Sequence, residues 1–179
     1  MIDTEEIIHR HCAGNSELEQ LLLQHSGDVA RRALQVADRH PELGLNREFL
    51  QEAAMLHDIG ITLVDAPGIH CHGTEPYIRH GLMGGKILRQ EGLPMHARVA
   101  ERHTGTGITR EAIEKQGLPL PPADYVPETL EEQVVCYADK FFSKSHPEHE
   151  KTFDEALRSL WKFGPECAAT MERWREQFD

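Results

Sequence analysis

Ala53-Ala54-Met55-Leu56-His57-Asp58-Ile59-Gly60 is the stretch on which the reading of this chain turns. An apolar helical face delivers an adjacent imidazole and carboxylate at its C-terminal end, directly before a glycine that can stop the helix. Burying an aspartate beside such a run is costly unless a cation or strong donors compensate. The separation of roughly 100° between neighbouring helical side chains relaxes at a helix end, so both groups can reach one ion. A His-Asp pair is common by itself, and its weight comes from what surrounds it.

Outward from that stretch the pattern is helical. Ser16-Glu17-Leu18-Glu19 has the form of a capping box. Leu18, Leu21, Leu22, Val29, Ala33, Val36 and Ala37 then recur at helical spacing to about His40. Ser26-Gly27 could divide this run into two helices, and Pro41 and Gly44 end it. Asn46 can cap the helix that carries His57 and Asp58, with Gly60 as its stop signal. Residues 61–76 hold Pro67, Gly68, Gly73 and Pro76 and read as a long loop.

Helical pattern resumes over 77–90, and Pro94 suits the first turn of a helix reaching about His103. A short helix is expected after Thr109, and Pro119, Pro121, Pro122 and Pro127 stiffen the connection over 117–127. Thr129 with Glu132 and Thr152 with Glu155 form two more capping boxes. The first opens a helix through Val134, Val135, Ala138 and Phe141. The second opens a terminal helical pair with Leu157, Leu160, Trp161, Met171, Trp174 and Phe178 as its apolar face. No strand alternation is evident, so the expected fold is all-α. A compact bundle is expected over 1–145, with a C-terminal helical extension over 146–179 packed on the same domain.

Composition narrows the function. With 39% hydrophobic and 27% charged residues the chain can bury a core, and a net charge of −11 opposes non-specific binding to a nucleic-acid backbone. No apolar run approaches the roughly 20 residues of a membrane-spanning helix. The N-terminus Met1-Ile2-Asp3-Thr4-Glu5-Glu6 is acidic, unlike a secretory signal. Cys12, Cys71, Cys136 and Cys167 are scattered and read as reduced thiols, so a cytoplasmic protein is expected. The unusual count is histidine, with 12 in 179 residues.

His25 falls on a helical segment with Val29 and Ala33 on a similar face, and Asp139 is a lone carboxylate in the apolar helix 134–140. Between them, His80 in Arg79-His80-Gly81-Leu82-Met83-Gly84-Gly85 and His103 in Glu101-Arg102-His103-Thr104-Gly105 have small neighbours that let other groups approach. Each histidine alone is more simply an ordinary polar residue; the ordered set with His57-Asp58 and Asp139 points to metal. Mixed imidazole and carboxylate donors suit Mn, Fe, Co, Ni or Zn without choosing among them.

The set H-D-I-G at 57–60, H-G-x-x-G-G-x-I-L-R at 80–89, E-R-H-T-G-x-G-I at 101–108 and A-D-K at 138–140 resembles the HD superfamily of metal-dependent phosphohydrolases, in particular its HDIG subgroup. The likeness spans roughly residues 20–143, and Pro127-Glu128-Thr129-Leu130-Glu131-Glu132 looks like a small group of uncharacterised bacterial and archaeal HD proteins. The resemblance implies that His25, His57, Asp58 and Asp139 hold a first divalent ion. It implies that Asp58 bridges to a second ion held also by His80 and His103, so that Asp58, His80 and His103 are catalytic. Arg79, Lys86, Arg102 and Lys140 are the basic residues that could hold substrate phosphate. The implied activity is hydrolysis of a phosphoester or phosphoanhydride in a small nucleotide or related phosphate by metal-activated water. The alternatives are an HD-type diiron oxygenase and a non-hydrolytic nucleotide-binding regulatory module. A homodimer is compatible with the sequence, and no membrane partner is expected. Two departures are visible: Ile61 follows H-D-I-G where many relatives carry Lys or Arg, and the insert at 62–76 is long.

Other motifs have plainer readings. His70, Cys71 and His72 read as part of a solvated loop near the pocket. Gly81, Gly84 and Gly85 lack the order of a phosphate loop and are expected to permit close helix packing. His146, Pro147 and His149 lie in a polar turn, and Trp161 and Trp174 are expected in core or dimer contacts.

Overall fold

Nine α-helices carry the chain in a computed structural model that describes all 179 residues. They are α1 (Thr4–Cys12), α2 (Ser16–Arg39), α3 (Arg47–Leu56), α4 (His80–Gln90), α5 (Pro94–Arg102), α6 (Arg110–Gln116), α7 (Leu130–Asp139), α8 (Phe153–Leu160) and α9 (Pro165–Phe178). The sequence places most of their starts. Asn46, Thr109, Thr129 and Thr152 each accept a backbone N–H from the first turn, and the boxes at Thr129/Glu132 and Thr152/Glu155 are reciprocal. At α2 the cap is Asn15, which accepts from Leu18 N, so Ser16 is already helical and the expected Ser16/Glu19 box does not form. Ser26-Gly27 does not divide α2. Ser26 is buried and Gly27 keeps helical backbone, because the apolar positions on either side pack without interruption.

Helix α3 ends at Leu56, earlier than expected, and Gly60 is not its stop. The backbone turns at His57-Asp58 and continues as a 3-10 segment, Ile59–Leu63. Residues expected as loop hold further local order. Strand β1 (Asp65–Ala66) pairs antiparallel with β2 (Cys71–His72), Asp65 opposite His72 and Ala66 opposite Cys71. Cys71 from this stretch is fully buried. This small ribbon leaves the fold all-α.

The interior has two apolar clusters. One joins Val29, Ala33 and Val36 of α2, Leu50 and Ala53 of α3, Val134–Ala138 of α7, and Leu160, Met171, Trp174 and Phe178 from the last two helices. The other joins α1 (Ile7, Ile8) to Leu18 and Leu22 of α2, Leu56, Ile59, Ile61, Leu88 of α4 and Ala100 of α5. Fully burying a Leu, Ile or Phe contributes about 1.5–3 kcal/mol, against about 1 kcal/mol for a cap. Caps therefore set where helices begin, while packing sets how they are arranged. Trp161, expected on the apolar face, is 55% exposed, because α8 ends at Leu160 and the chain turns through a 3-10 segment there. No helix is long and apolar enough to cross a membrane.

Candidate metal centre

The seam between the two clusters is where the chemistry-bearing residues converge. His25 lies on α2 between Leu22 of one cluster and Val29 of the other. His57 and Asp58 leave the end of α3 at the same level, and Asp139 is the last residue of α7. Glycines bring in the remaining two histidines. A Cβ on Gly60 would collide with the His80 carbonyl and the Gly84 amide, so its absence lets the start of α4 lie directly on the turn after Asp58. Gly81 likewise lies against the Ala100 carbonyl of α5, the helix that His103 directly follows.

Two sets of side chains result. His25, His57, Asp58 and Asp139 form one, and Asp58, His80 and His103 the other, with ligand atoms in each set within 4.8 Å of one another. Asp58 Oδ2 lies 3.1 Å from His25 Nε2 and 3.2 Å from His57 Nε2. Asp139 Oδ1 lies 3.1 Å from His25 Nε2 and 3.4 Å from His57 Nε2. Asp58 Oδ1 points the other way, 3.2 Å from His103 Nε2 and 3.6 Å from His80 Nε2. All six residues are buried, Asp58 completely.

Three of the imidazoles are held by main-chain carbonyls. His57 Nδ1 lies 2.6 Å from Ala54 O, His80 Nδ1 2.7 Å from Tyr77 O, and His103 Nδ1 2.7 Å from Ala100 O. A carbonyl only accepts, so each Nδ1 is a protonated, donating nitrogen and each Nε2 faces inward. His80 Nε2 and His103 Nε2 then stand 3.1 Å apart with Asp58 Oδ1 beside them, three acceptors with no donor among them. His57 Nε2 and Asp58 Oδ2 have no hydrogen-bond partner either. Buried acceptors converging in this way need a cation, and the donor set fits divalent ions.

Charge on the chain answers part of that need. The Lys144 ammonium lies 2.6 Å from Asp58 Oδ2, an ion pair by distance whose angles are not those of a hydrogen bond. Lys140 Nζ donates to Asp139 Oδ2 at 2.6 Å and to the His103 carbonyl at 2.8 Å. Burial works against the charged carboxylates, but Lys144 with His57, His103 and His25 around Asp58, and Lys140 with His25 and His57 around Asp139, together outweigh it and hold both well below the usual carboxylate range. Burial also opposes a charged His57, yet Asp58 and then Asp139 raise it to about 9. Burial, then the neighbouring His103, pushes His80 down to about 3, and burial lowers His103. One set thus attracts positive charge strongly, while the other keeps its imidazoles neutral, as ligands must be.

A cavity of about 210 Å³ opens onto His80, His103 and Asp139 and is lined also by Tyr77, Lys140, Lys144, Lys151 and Lys162. Of the four basic residues expected around a phosphate, Lys140 lines it and the others do not. Arg79 pairs with Glu75 and donates to the Pro119 carbonyl. Arg102 donates to the Val126 carbonyl and pairs with Glu128, and Lys86 is exposed on α4. Ile61 is fully buried in the apolar cluster. The cations near the centre come instead from Lys144, Lys151 and Lys162, which the sequence reading missed. The repeat of lysine four residues after Lys140 was its one available signal for Lys144.

A family model described as HD domain matches residues 22–143. The tRNA (cytidine(56)-2'-O)-methyltransferase of Picrophilus torridus is 36% identical over 126 residues, 70% of this chain and 32% of that protein. The protein of the same name from Thermoplasma volcanium is 35% identical over 123 residues, 68% of this chain and 32% of its own length. The chain therefore spans about a third of these two relatives. An uncharacterised protein of Methanocaldococcus jannaschii is 40% identical over 125 residues, 64% of this chain and 66% of that protein. No solved structure matches the chain.

Proposed function

The chain belongs to the HD-domain family, whose superfamily is one of metal-dependent phosphohydrolases, and from that premise we propose that it hydrolyses a phosphoester or phosphoanhydride bond in a small phosphorylated molecule of the nucleotide type. The observation that carries this reading is the division of one buried carboxylate: Asp58 turns Oδ2 to His25 and His57 and Oδ1 to His80 and His103. His25, His57, Asp58 and Asp139 would hold one divalent ion, and Asp58, His80 and His103 a second. When bound, such ions supply Lewis acidity and lower the pKa of a water.

The chain's own residues do the rest. The three carbonyl-anchored imidazoles keep their Nε2 atoms inward, so no ring need reorient for the site to fill. Lys140 and Lys144 bring ammonium groups to the cavity, where they offset charge on a phosphoryl group. In the net reaction a water oxygen joins phosphorus, the bridging P–O bond breaks, and the water's proton is passed on to the leaving oxygen or solvent. Methyl transfer, the chemistry in the names of two relatives, is not carried over. The chain covers about a third of those proteins, and its centre consists of imidazoles and carboxylates suited to cations.

The test is metal content of protein purified without chelator, followed by phosphate release from a nucleotide panel with Mn²⁺, Co²⁺, Ni²⁺, Fe²⁺ or Mg²⁺. Two ions per chain with metal-dependent release supports the proposal. Iron-dependent oxygen consumption without phosphate release would replace it with the oxygenase reading, and ligand binding without metal or turnover with the regulatory one.

A further inference from the structure

The chain has six lysines, Lys86, Lys115, Lys140, Lys144, Lys151 and Lys162, and the last four line the one cavity beside His80 and His103. They reach it from different places. Lys140 follows α7, Lys144 and Lys151 lie in the connection to α8, and Lys162 is in the turn after α8. In a chain of net charge −11 this is a local reversal of sign. The only carboxylate among the lining residues is Asp139.

Two of these ammonium groups are already matched, Lys140 with Asp139 and Lys144 with Asp58. Lys151 and Lys162 meet no carboxylate within the 4.0 Å of an ion pair. Lys151 is half-buried, its backbone fixed by a bond from its N–H to the Phe141 carbonyl, and Lys162 sits over the Phe163 ring. Like charges gathered in a recess repel one another unless an anion joins them. A single phosphoryl group would be neutralised by ions held at Asp58, His80 and His103 and would leave Lys151 and Lys162 unanswered.

We infer that the substrate carries at least two linked phosphoryl groups, one placed at the His80/His103 side of the centre and the next held by Lys151 and Lys162. This rests on the hydrolase reading for the reaction, but the cavity's preference can be measured without turnover. The shared chemistry is a phosphoanhydride chain, whether on a nucleoside or as inorganic pyrophosphate or tripolyphosphate.

The experiment is calorimetric binding of methylenediphosphonate and methylphosphonate, which carry no hydrolysable bond, to the metal-loaded protein. It is paired with hydrolysis of nucleoside mono-, di- and triphosphates, pyrophosphate and tripolyphosphate. Diphosphonate should bind at least about 100-fold more tightly than monophosphonate. Lys151→Ala and Lys162→Ala should each weaken diphosphonate about 10-fold, the usual scale for losing one charge-assisted contact. Metal content should stay constant, and Lys86→Ala, outside the cavity, should change nothing. Equal binding of the two phosphonates, or variants that weaken both equally, would overturn the inference even if monophosphates are hydrolysed. Selective, lysine-dependent diphosphonate binding without phosphate release from any substrate would uphold the inference and remove the hydrolase reading. Among active substrates, inorganic chains hydrolysed as fast as nucleotides would identify the source as inorganic, and the reverse as nucleotide.

Discussion

Asp58 shares its two oxygens between opposed groups of imidazoles with no other acidic group able to serve both sides. Asparagine has nearly the same shape but lacks the charge, and one of its terminal atoms is a donor. Asp58→Asn should therefore reduce bound metal from two ions to none, with unchanged far-UV circular dichroism; two ions retained would show that Asp58 is not a shared ligand. His103→Ala should remove the second ion alone, leaving about one per chain by elemental analysis. Much of this centre was legible in the sequence, because His57-Asp58, His80, His103 and Asp139 each fall at a helix boundary beside small or apolar residues. Lys151 and Lys162 were not. No periodicity marks them: Lys151 is set at the cavity by the bond from its N–H to the Phe141 carbonyl, and Lys162 by the turn that follows α8.

Two glycines at the scale of elements have opposite roles. Gly27 lies within α2 with helical backbone and open space where a Cβ would stand. Gly27→Ala should stabilise the protein by about 0.5–1 kcal/mol, because alanine loses less conformational entropy in a helix. In a chain this long that corresponds to a rise in Tm of roughly 1–4 °C by differential scanning calorimetry. Gly60 is enclosed by main chain from α4, which cannot step aside as a side chain would. Gly60→Ala should cost on the order of 3 kcal/mol or more and lower metal content as His80 moves off Asp58; a melting point equal to the parent protein's would contradict the close approach. The sequence gives glycines no such distinction. Both looked like interruptions, because what separates them is a neighbour contributed by another helix.

Across the molecule, the centre joins two apolar clusters, one that packs α2 and α3 with α7, α8 and α9 and another that joins α1 and the start of α2 to α4, α5 and the turn after α3. Cations bound there would tie together residues from α2, the end of α3, α4, the end of α5 and α7. At 100 times its dissociation constant a ligand specific to the folded state contributes about 2.7 kcal/mol. Loading should therefore raise Tm by roughly 5–10 °C over chelator-treated protein, and an unchanged Tm would place metal elsewhere. The overall helical plan was readable from caps and periodicity, whereas the meeting of the clusters depends on long-range packing that no local pattern encodes. The Lys144 ammonium at Asp58 has a consequence for maturation. A chain whose most buried carboxylate already has a counter-charge can finish folding before any ion arrives, and can later exchange one ion for another without unravelling. Which element the centre would carry in a cell would then reflect supply after synthesis, set partly by the surroundings in which the folded polypeptide finds itself.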